Sequence, residues 1–203
     1  MIDLKKPLVI DVDDVALSWL LGGFRPYVME TTGKEICPKG PSGWDMEDWL
    51  DTDKNGVRAL ITEFNSSHKF GEIPAFDCAL EVLPKVAETG RRIHVVTSCA
   101  ADPAVHRRRE QNLIHIFGDI FSTITCLDVN VSKAPRLFEI IDEEGRPGIW
   151  LEDNYKNATA GADLGYITYA FRRSHNRKFE PTCSHPNIAW INTWHDVAPH
   201  LLP

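Results

Sequence analysis

Short apolar runs recur along the chain with longer amphipathic stretches between them. The runs at residues 8–10, 93–96, 122–126, 148–151, 166–171 and 188–191 are too short for helices and too apolar for exposed loops, so each predicts a buried β-strand. Residues 75–89 place Ala79, Val82, Leu83 and Val86 on one face at helical spacing, and further helices are predicted over 104–117, 134–142 and 157–163. Gly90, Gly118 and Gly145 stand just past three of these stretches, where a C-terminal cap belongs. Strands alternating with helices imply right-handed βαβ crossovers. The fold class is therefore α/β, a Rossmann-like three-layer sandwich with a central parallel sheet.

One interval breaks the alternation. Residues 15–74 contain Gly22-Gly23, Pro26, Gly33, Pro38-Lys39-Gly40-Pro41 and Gly43, followed by Trp44 and Trp49. Helical periodicity is confined to 15–21 and 56–66. Structureless loops of this length are uncommon in compact domains, so the interval predicts a small helical cap inserted after the first strand. Residues 1–14 and 75–203 then make up the core domain. No internal repeat or low-complexity segment is visible.

Polar residues gather where the strands end. Asp11-Val12-Asp13-Asp14 follows the first run directly. Two carboxylates one residue apart at the C-terminal end of a parallel strand lie in the crevice where open α/β sheets bind ligands. Like charges that close need an offset, and a divalent cation is the simplest. The alternative is an Asp-rich turn capping a helix. Thr97-Ser98 closes the second run, Lys133 stands at the start of a predicted helix, and Glu152-Asp153-Asn154 closes the fourth, with Asn157 one turn further on. Singly, Thr97 and Asp153 read equally well as helix caps and Lys133 as a solvated surface charge.

Composition narrows the classes. With 43% hydrophobic and 25% charged residues the chain can bury a substantial core, and a net charge of −7 argues against a stable nucleic-acid partner. Five dispersed cysteines without a CxxC pair favour reduced thiols over a disulfide framework. The first strand begins within a few residues, leaving no room for a signal peptide, and no apolar stretch is long enough to span a bilayer. A soluble cytoplasmic protein without a membrane partner is expected.

The order Asp-x-Asp, Thr, Lys, Glu-Asp along successive strand ends resembles the haloacid dehalogenase superfamily of phosphotransferases, over most of the chain outside the cap. The resemblance implies that Asp11 is a nucleophile and Asp13 a general acid/base. It also implies that Thr97, Ser98 and Lys133 bind phosphate, and that Asp11, Asp13 (through its carbonyl) and Asp153 hold Mg²⁺. Asn157 stands where many members carry a further Asp, and Glu152 is a candidate to orient a metal-bound water. The family's dehalogenases lack the second Asp, so Asp13 favours phosphate-ester hydrolysis. The chemistry is coherent: a phosphate dianion repels a carboxylate nucleophile, and Mg²⁺, Lys133 and the Thr97 hydroxyl would neutralise it. The expected activity is a phosphoric monoester hydrolase acting on a small-molecule phosphate ester through an aspartyl-phosphate.

A narrower resemblance lies downstream. FDCALEVLPKVAETGRRIHVV at 76–96, Phe117-Gly118-Asp119-Ile120-Phe121, AFRRSHN at 170–176 and the stretch 190–194 are similar to the 5′(3′)-deoxyribonucleotidase branch. That likeness implies a nucleoside monophosphate, with Trp19, Phe24, Trp44 and Trp49 as candidate base contacts from the cap. The other readings are a phosphatase of sugar phosphates or polynucleotide 3′-phosphates, and a non-catalytic binding module on the same fold.

Several motifs carry less. Arg107-Arg108-Arg109 sits within a predicted amphipathic helix and reads as a solvated face. Arg172, Arg173 and Arg177 follow a strand and are weaker candidates for a substrate phosphate or sugar. Cys183-x-His185 with His175 fits no standard zinc spacing, and Lys39-Gly40-Pro41-Ser42-Gly43 is not a P-loop. No GxGxxG follows the first strand, which argues against a dinucleotide cofactor.

Overall fold

A computed structural model of the chain describes residues 3–182 and 185–203. Six strands, β1 (Leu8–Ile10), β2 (Ile93–Ser98), β3 (Thr123–Leu127), β4 (Ile149–Glu152), β5 (Ile167–Phe171) and β6 (Ile188–Ile191), form one parallel sheet in the order β3-β2-β1-β4-β5-β6. The helices are α1 (Arg25–Thr32), α2 (Glu47–Leu50), α3 (Lys54–Ser66), α4 (Asp77–Glu88), α5 (Pro103–Phe117), α6 (Ala134–Glu144), α7 (Tyr155–Asp163) and α8 (Trp194–Leu201).

The strands look uniformly apolar because both faces are covered, and their side chains still alternate. Leu8, Ile10, Ile93, Val95, Ile149 and Leu151 pack into one cluster with residues of α4, α5 and α8. Val9, Val96 and Trp150 point the other way, onto Leu137 and Ile140 of α6 and onto Tyr166. The expected three-layer sandwich follows. Gly90, Gly118 and Gly145 take positive φ values of 78°, 74° and 70° past α4, α5 and α6, as their placement predicts.

β1 is central, with Leu8 in register with Ile93 on one side and Ile149 on the other. The chain leaves β1 towards β2 and β3, then returns to the opposite side of β1 as β4. That reversal opens a crevice at the C-terminal ends of β1 and β4. Residue 148 must be glycine for β4 to approach so closely, because a Cβ there would sit 2.1 Å from the Pro7 carbonyl oxygen.

Besides α1 and α2, helices of the inserted segment where no periodicity is visible, two stretches differ from the sequence expectation. Residues 15–21 do not form an α-helix. The amides of Val15, Ala16 and Leu17 all turn back onto the Val12 carbonyl, at 3.2, 2.9 and 2.9 Å, and Leu17 bridges to Ala75. Pinned there, the chain resumes as a π-helical stretch, Trp19–Phe24, running into α1. Gly22 allows this, since a Cβ would meet Pro74 Cγ at 2.8 Å. The second difference is α8, where no helix was predicted. Its capping box between Thr193 and Asp196 is a readable start signal, and Trp194 anchors it by donating to the Val15 carbonyl at 2.8 Å.

Between β1 and α4, α3 is capped by Asp53, whose side chain accepts from Gly56 N at 2.8 Å, and a 3₁₀ turn, His68–Glu72, follows it. The interior of this segment is aromatic: Trp19 stacks on Phe24 at 4.8 Å, and Phe64 contacts both of them as well as Tyr27 and Phe70. Among the described residues no helix is long and apolar enough to cross a membrane. Cys37, Cys78, Cys99 and Cys126 are free thiols, and Cys183 lies outside the described residues.

Candidate active site

Asp11 continues the β1 ladder by one residue, donating its amide to Leu151 O at 2.9 Å, so its carboxylate enters the crevice between β1 and β4. One oxygen accepts from Val12 N at 2.8 Å, and the other lies 2.8 Å from Lys133 Nζ. Lys133 reaches in from the start of α6 and also contacts Glu152 Oε2 at 2.9 Å. Only 2% of its side chain is exposed, which excludes a solvated surface lysine. Burial alone would lower its pKa, but Asp11 and Glu152 outweigh burial and hold it above the ordinary lysine value.

Glu152 ends β4 fully buried and binds in both directions. Its Oε2 takes the lysine, and its Oε1 accepts from the amides of Asp153 and Asn154 at 3.0 and 2.9 Å. It therefore fixes the turn that presents Asp153. Asn154, not Asp153, caps α7, accepting from Lys156 N and Asn157 N, so the Asp153 carboxylate is free for other work. His175 Nε2 lies 2.7 Å from Asp153 Oδ2, and the Asn176 amide donates at 2.7 Å to both Asp153 O and Phe171 O. Burial would raise the Asp153 pKa, but the contact with His175 keeps it below its ordinary value, and the same pairing raises that of His175. His175, an unpromising zinc candidate in the sequence, is thus the partner of an acidic site residue.

Asp13 points elsewhere, with its Oδ1 2.5 Å from Arg109 Nη2. The dry surroundings of the crevice push its pKa up to about 8 despite the guanidinium. Arg109 itself is fully buried, a correction to the solvated face read from the arginine triplet. The outward positions are those of Arg107, which is exposed, and Arg108, which is half-buried. Asp14 takes a left-handed φ of 54°, which Asp tolerates better than most residues, and its carboxylate accepts from Leu20 N at 3.2 Å. Burial and the nearby Asp153 raise its pKa to about 7. Arg173 donates to the Asp14 carbonyl at 2.6 Å, while Arg172 is occupied by Glu180.

Thr97 is fully buried at the end of β2, and its Oγ1 has no hydrogen-bond partner among the described residues. It is not a helix cap, since Asp102 caps α5, and Ser98 follows it half-buried. Asp11, Glu152 and Asp153 offer carboxylate oxygens within 4.8 Å of one another, and Asp14, Asp153 and His175 form a second such set. The first set is all oxygen, the donor type that hard divalent cations prefer, and suits a divalent metal.

A cavity of about 860 Å³ lies between residues 44–66 and the loops after β2 and β3, with Trp44, Met46, Arg58, Asn65, Cys99 and Val129 on its walls. Trp44 is 39% exposed and packs its ring 4.3 Å from that of His175. Trp19 and Phe24, expected at the substrate, do not line this cavity. They are buried in the aromatic interior, where Trp19 Nε1 donates to Asn65 at 3.3 Å. Trp49 spends its indole N–H on Cys37 O at 2.9 Å. Large rings in a small inserted segment form its own core first.

Neither protein-family models nor curated proteins contain a match to the sequence. Solved structures do. A haloacid dehalogenase-like family hydrolase from Streptococcus pneumoniae is 12% identical, with 96% of this chain and 97% of that chain covered at a TM-score of 0.64. CbbY from Rhodobacter sphaeroides, solved in complex with phosphate, is 14% identical over 99% of each chain at a TM-score of 0.60. A dehalogenase solved with an intermediate complex is 12% identical over 100% of each chain at a TM-score of 0.59. At these identities the likeness carries architecture alone: the chain has the haloacid dehalogenase-like fold. That fold is shared by a dehalogenase and by a protein solved with phosphate, so the reaction rests on the residues in the crevice.

Proposed function

We propose that the protein is a Mg²⁺-dependent phosphomonoesterase that works through an aspartyl-phosphate on Asp11, with a nucleoside monophosphate as the favoured substrate class. The observation that carries this is the buried pairing of Lys133 with Asp11 at the end of β1, together with a buried Thr97 hydroxyl, at the end of the paired strand β2, that lacks a partner among the described residues. A phosphate group placed there would give the hydroxyl an acceptor and the ammonium a further one. The acidic cluster of Asp11, Glu152 and Asp153 fits a metal ion, which Asp11, Asp153 and the Asp13 carbonyl would hold. When bound, Mg²⁺ would neutralise charge on the phosphate oxygens.

Asp11 forms the bond to phosphorus while the ester P–O bond breaks, and the leaving oxygen takes a proton from Asp13. Water then attacks phosphorus and gives its proton to Asp13. The acyl phosphate P–O bond breaks, returning the Asp11 carboxylate and inorganic phosphate. Burial raises the pKa of Asp13, which favours the protonated acid that the first step needs. That proton also separates phosphatase from dehalogenase chemistry, because a halide leaves without one.

Residues 15–74 act as the cap in this scheme. The cavity of about 860 Å³ has room for a nucleoside; Asp11, Asp13, Thr97, Lys133 and Asp153 do not line it, and its link to the crevice is Trp44, whose exposed ring suits a base and packs on His175, the partner of Asp153. The free thiols of Cys37, Cys78, Cys99 and Cys126 support work in the reducing cytoplasm. A phosphate-release screen over nucleoside monophosphates and sugar phosphates tests the proposal. Release should require Mg²⁺ and stop with EDTA. Release from sugar phosphates alone would overturn the substrate class, and no release from any ester would overturn the activity.

A further inference from the structure

Arg109 is a fully buried charge, and the reaction scheme above gives it no task. It lies on α5 with no exposed surface, and of its five donors only Nη2 has a carboxylate partner, Asp13 Oδ1 at 2.5 Å. Nε and Nη1 have no hydrogen-bond partner among the described residues. Its other support is an aromatic face: the guanidinium carbon stands 4.2 Å from the centroid of the Phe70 ring, in the 3₁₀ turn His68–Glu72. A buried guanidinium with two unpartnered nitrogens is an expensive way to fill space, and an apolar side chain would fill it at less cost. What the arginine does at hydrogen-bond distance that an apolar side chain could not is hold the Asp13 carboxylate.

We propose that Arg109 is a positioning residue for Asp13, clamping Oδ1 so that Oδ2 is the oxygen that delivers the proton to the leaving group. Phe70 backs the guanidinium on one side and Asp13 faces it on another, so the direction of the carboxylate is set jointly by α5 and by the segment inserted after β1. In the first step the proton passes from Asp13 Oδ2 to the ester oxygen as its bond to phosphorus breaks. In the second, a proton from the attacking water returns to Oδ2. Arg109 takes no part in either proton transfer, because its work is orientation.

This assignment rests on the phosphomonoesterase reading, and leaving-group dependence tests it. A 4-nitrophenolate leaves without a proton, whereas an alkoxide needs one. Arg109→Gln should lower kcat/KM for a simple alkyl phosphate by at least about 100-fold, the scale of acid–base catalysis, and for 4-nitrophenyl phosphate by less than about 10-fold. Arg109→Lys, which restores a cation but not the fork, should recover part of the alkyl-ester rate. Equal losses on both esters would overturn the proposal, since a general structural defect would not distinguish leaving groups. If Arg109→Gln does not fold, the same comparison is made with Arg109→Lys. If the wild-type protein cleaves neither ester, the phosphatase reading fails by itself. The positioning claim is then decided by the crystal structure of the variant: a displaced Asp13 carboxylate upholds it, and an unmoved one overturns it.

Discussion

Lys133 shows how a single buried charge organises the crevice. With 2% of its side chain exposed, it stands between Asp11 and Glu152 at 2.8 and 2.9 Å. Removing it would leave two buried carboxylates facing each other. Lys133→Met should therefore cost ~3–5 kcal/mol in urea unfolding and abolish turnover, whereas an exposed lysine would cost almost nothing. Asp14 yields a pH prediction. Its pKa is raised from 3.8 to about 7, so the folded protein holds a proton that the unfolded chain releases. The resulting stability is complete below about pH 4 and is lost as pH rises through 7. Asn has no such proton and tolerates the left-handed backbone. In EDTA, the Tm of Asp14→Asn should gain on wild type between pH 4 and 7, by roughly 2–4 °C per kcal/mol, and the gap should be constant above about pH 8. A gap independent of pH would show that burial does not perturb Asp14. That Asp11, Asp13, Thr97 and Asp153 stand at or just past strand ends was legible from the apolar runs before them, whereas the burial of Lys133 at the start of α6 was not, since alone it reads as a surface charge. Arg109, His175 and Asn176 were not legible either, because their roles depend on partners 96, 22 and 23 residues away. Three arginines in a row look like a solvated face until helical geometry turns one of them inward.

Among the elements, strands and the helices of the core were readable from periodicity, and the ends moved by a few residues. The failures have local causes. Residues 15–17 carry apolar side chains at helical spacing but are bound to the Val12 carbonyl and to Ala75, and pairing outweighs propensity. No helix is predicted at α8, although Thr193 and Asp196 form a capping box; the helix is short and runs on through Pro199 to Leu201. Packing between elements leaves little slack around the strand that ends in Glu152. A Cβ at Gly161 of α7 would lie 2.4 Å from Trp150 Cδ1 of β4, so the helix and strand could not keep their spacing. Gly161→Ala should cost ~1–3 kcal/mol, read as a lower midpoint in urea. An unchanged midpoint would mean that Trp150 has room to move.

For the molecule as a whole, the sheet order places the reversal of direction between β1 and β4, and this is why Asp11 and Asp153 meet although far apart in sequence. The parallel sheet follows from alternation and handedness. The interior of the 15–74 segment does not, since aromatic residues there look alike whether they serve a core or a ligand. Their burial separates them. Phe24→Ala should cost ~3–5 kcal/mol of stability through loss of the aromatic interior. Trp44→Ala, at the cavity wall, should leave the urea midpoint almost unchanged and raise KM by about 10-fold, equivalent to ~1.4 kcal/mol of binding. The reverse pattern would move the substrate surface to the aromatic interior. The central claim is that Asp11 carries the phosphoryl group. Its most direct test is acid quenching of the wild-type protein during turnover of a ³²P-labelled phosphate ester, followed by peptide mapping. Label should appear on Asp11 and be absent from Asp11→Asn, which stays folded but does not turn over; label on another residue, or undiminished turnover by Asp11→Asn, would contradict it.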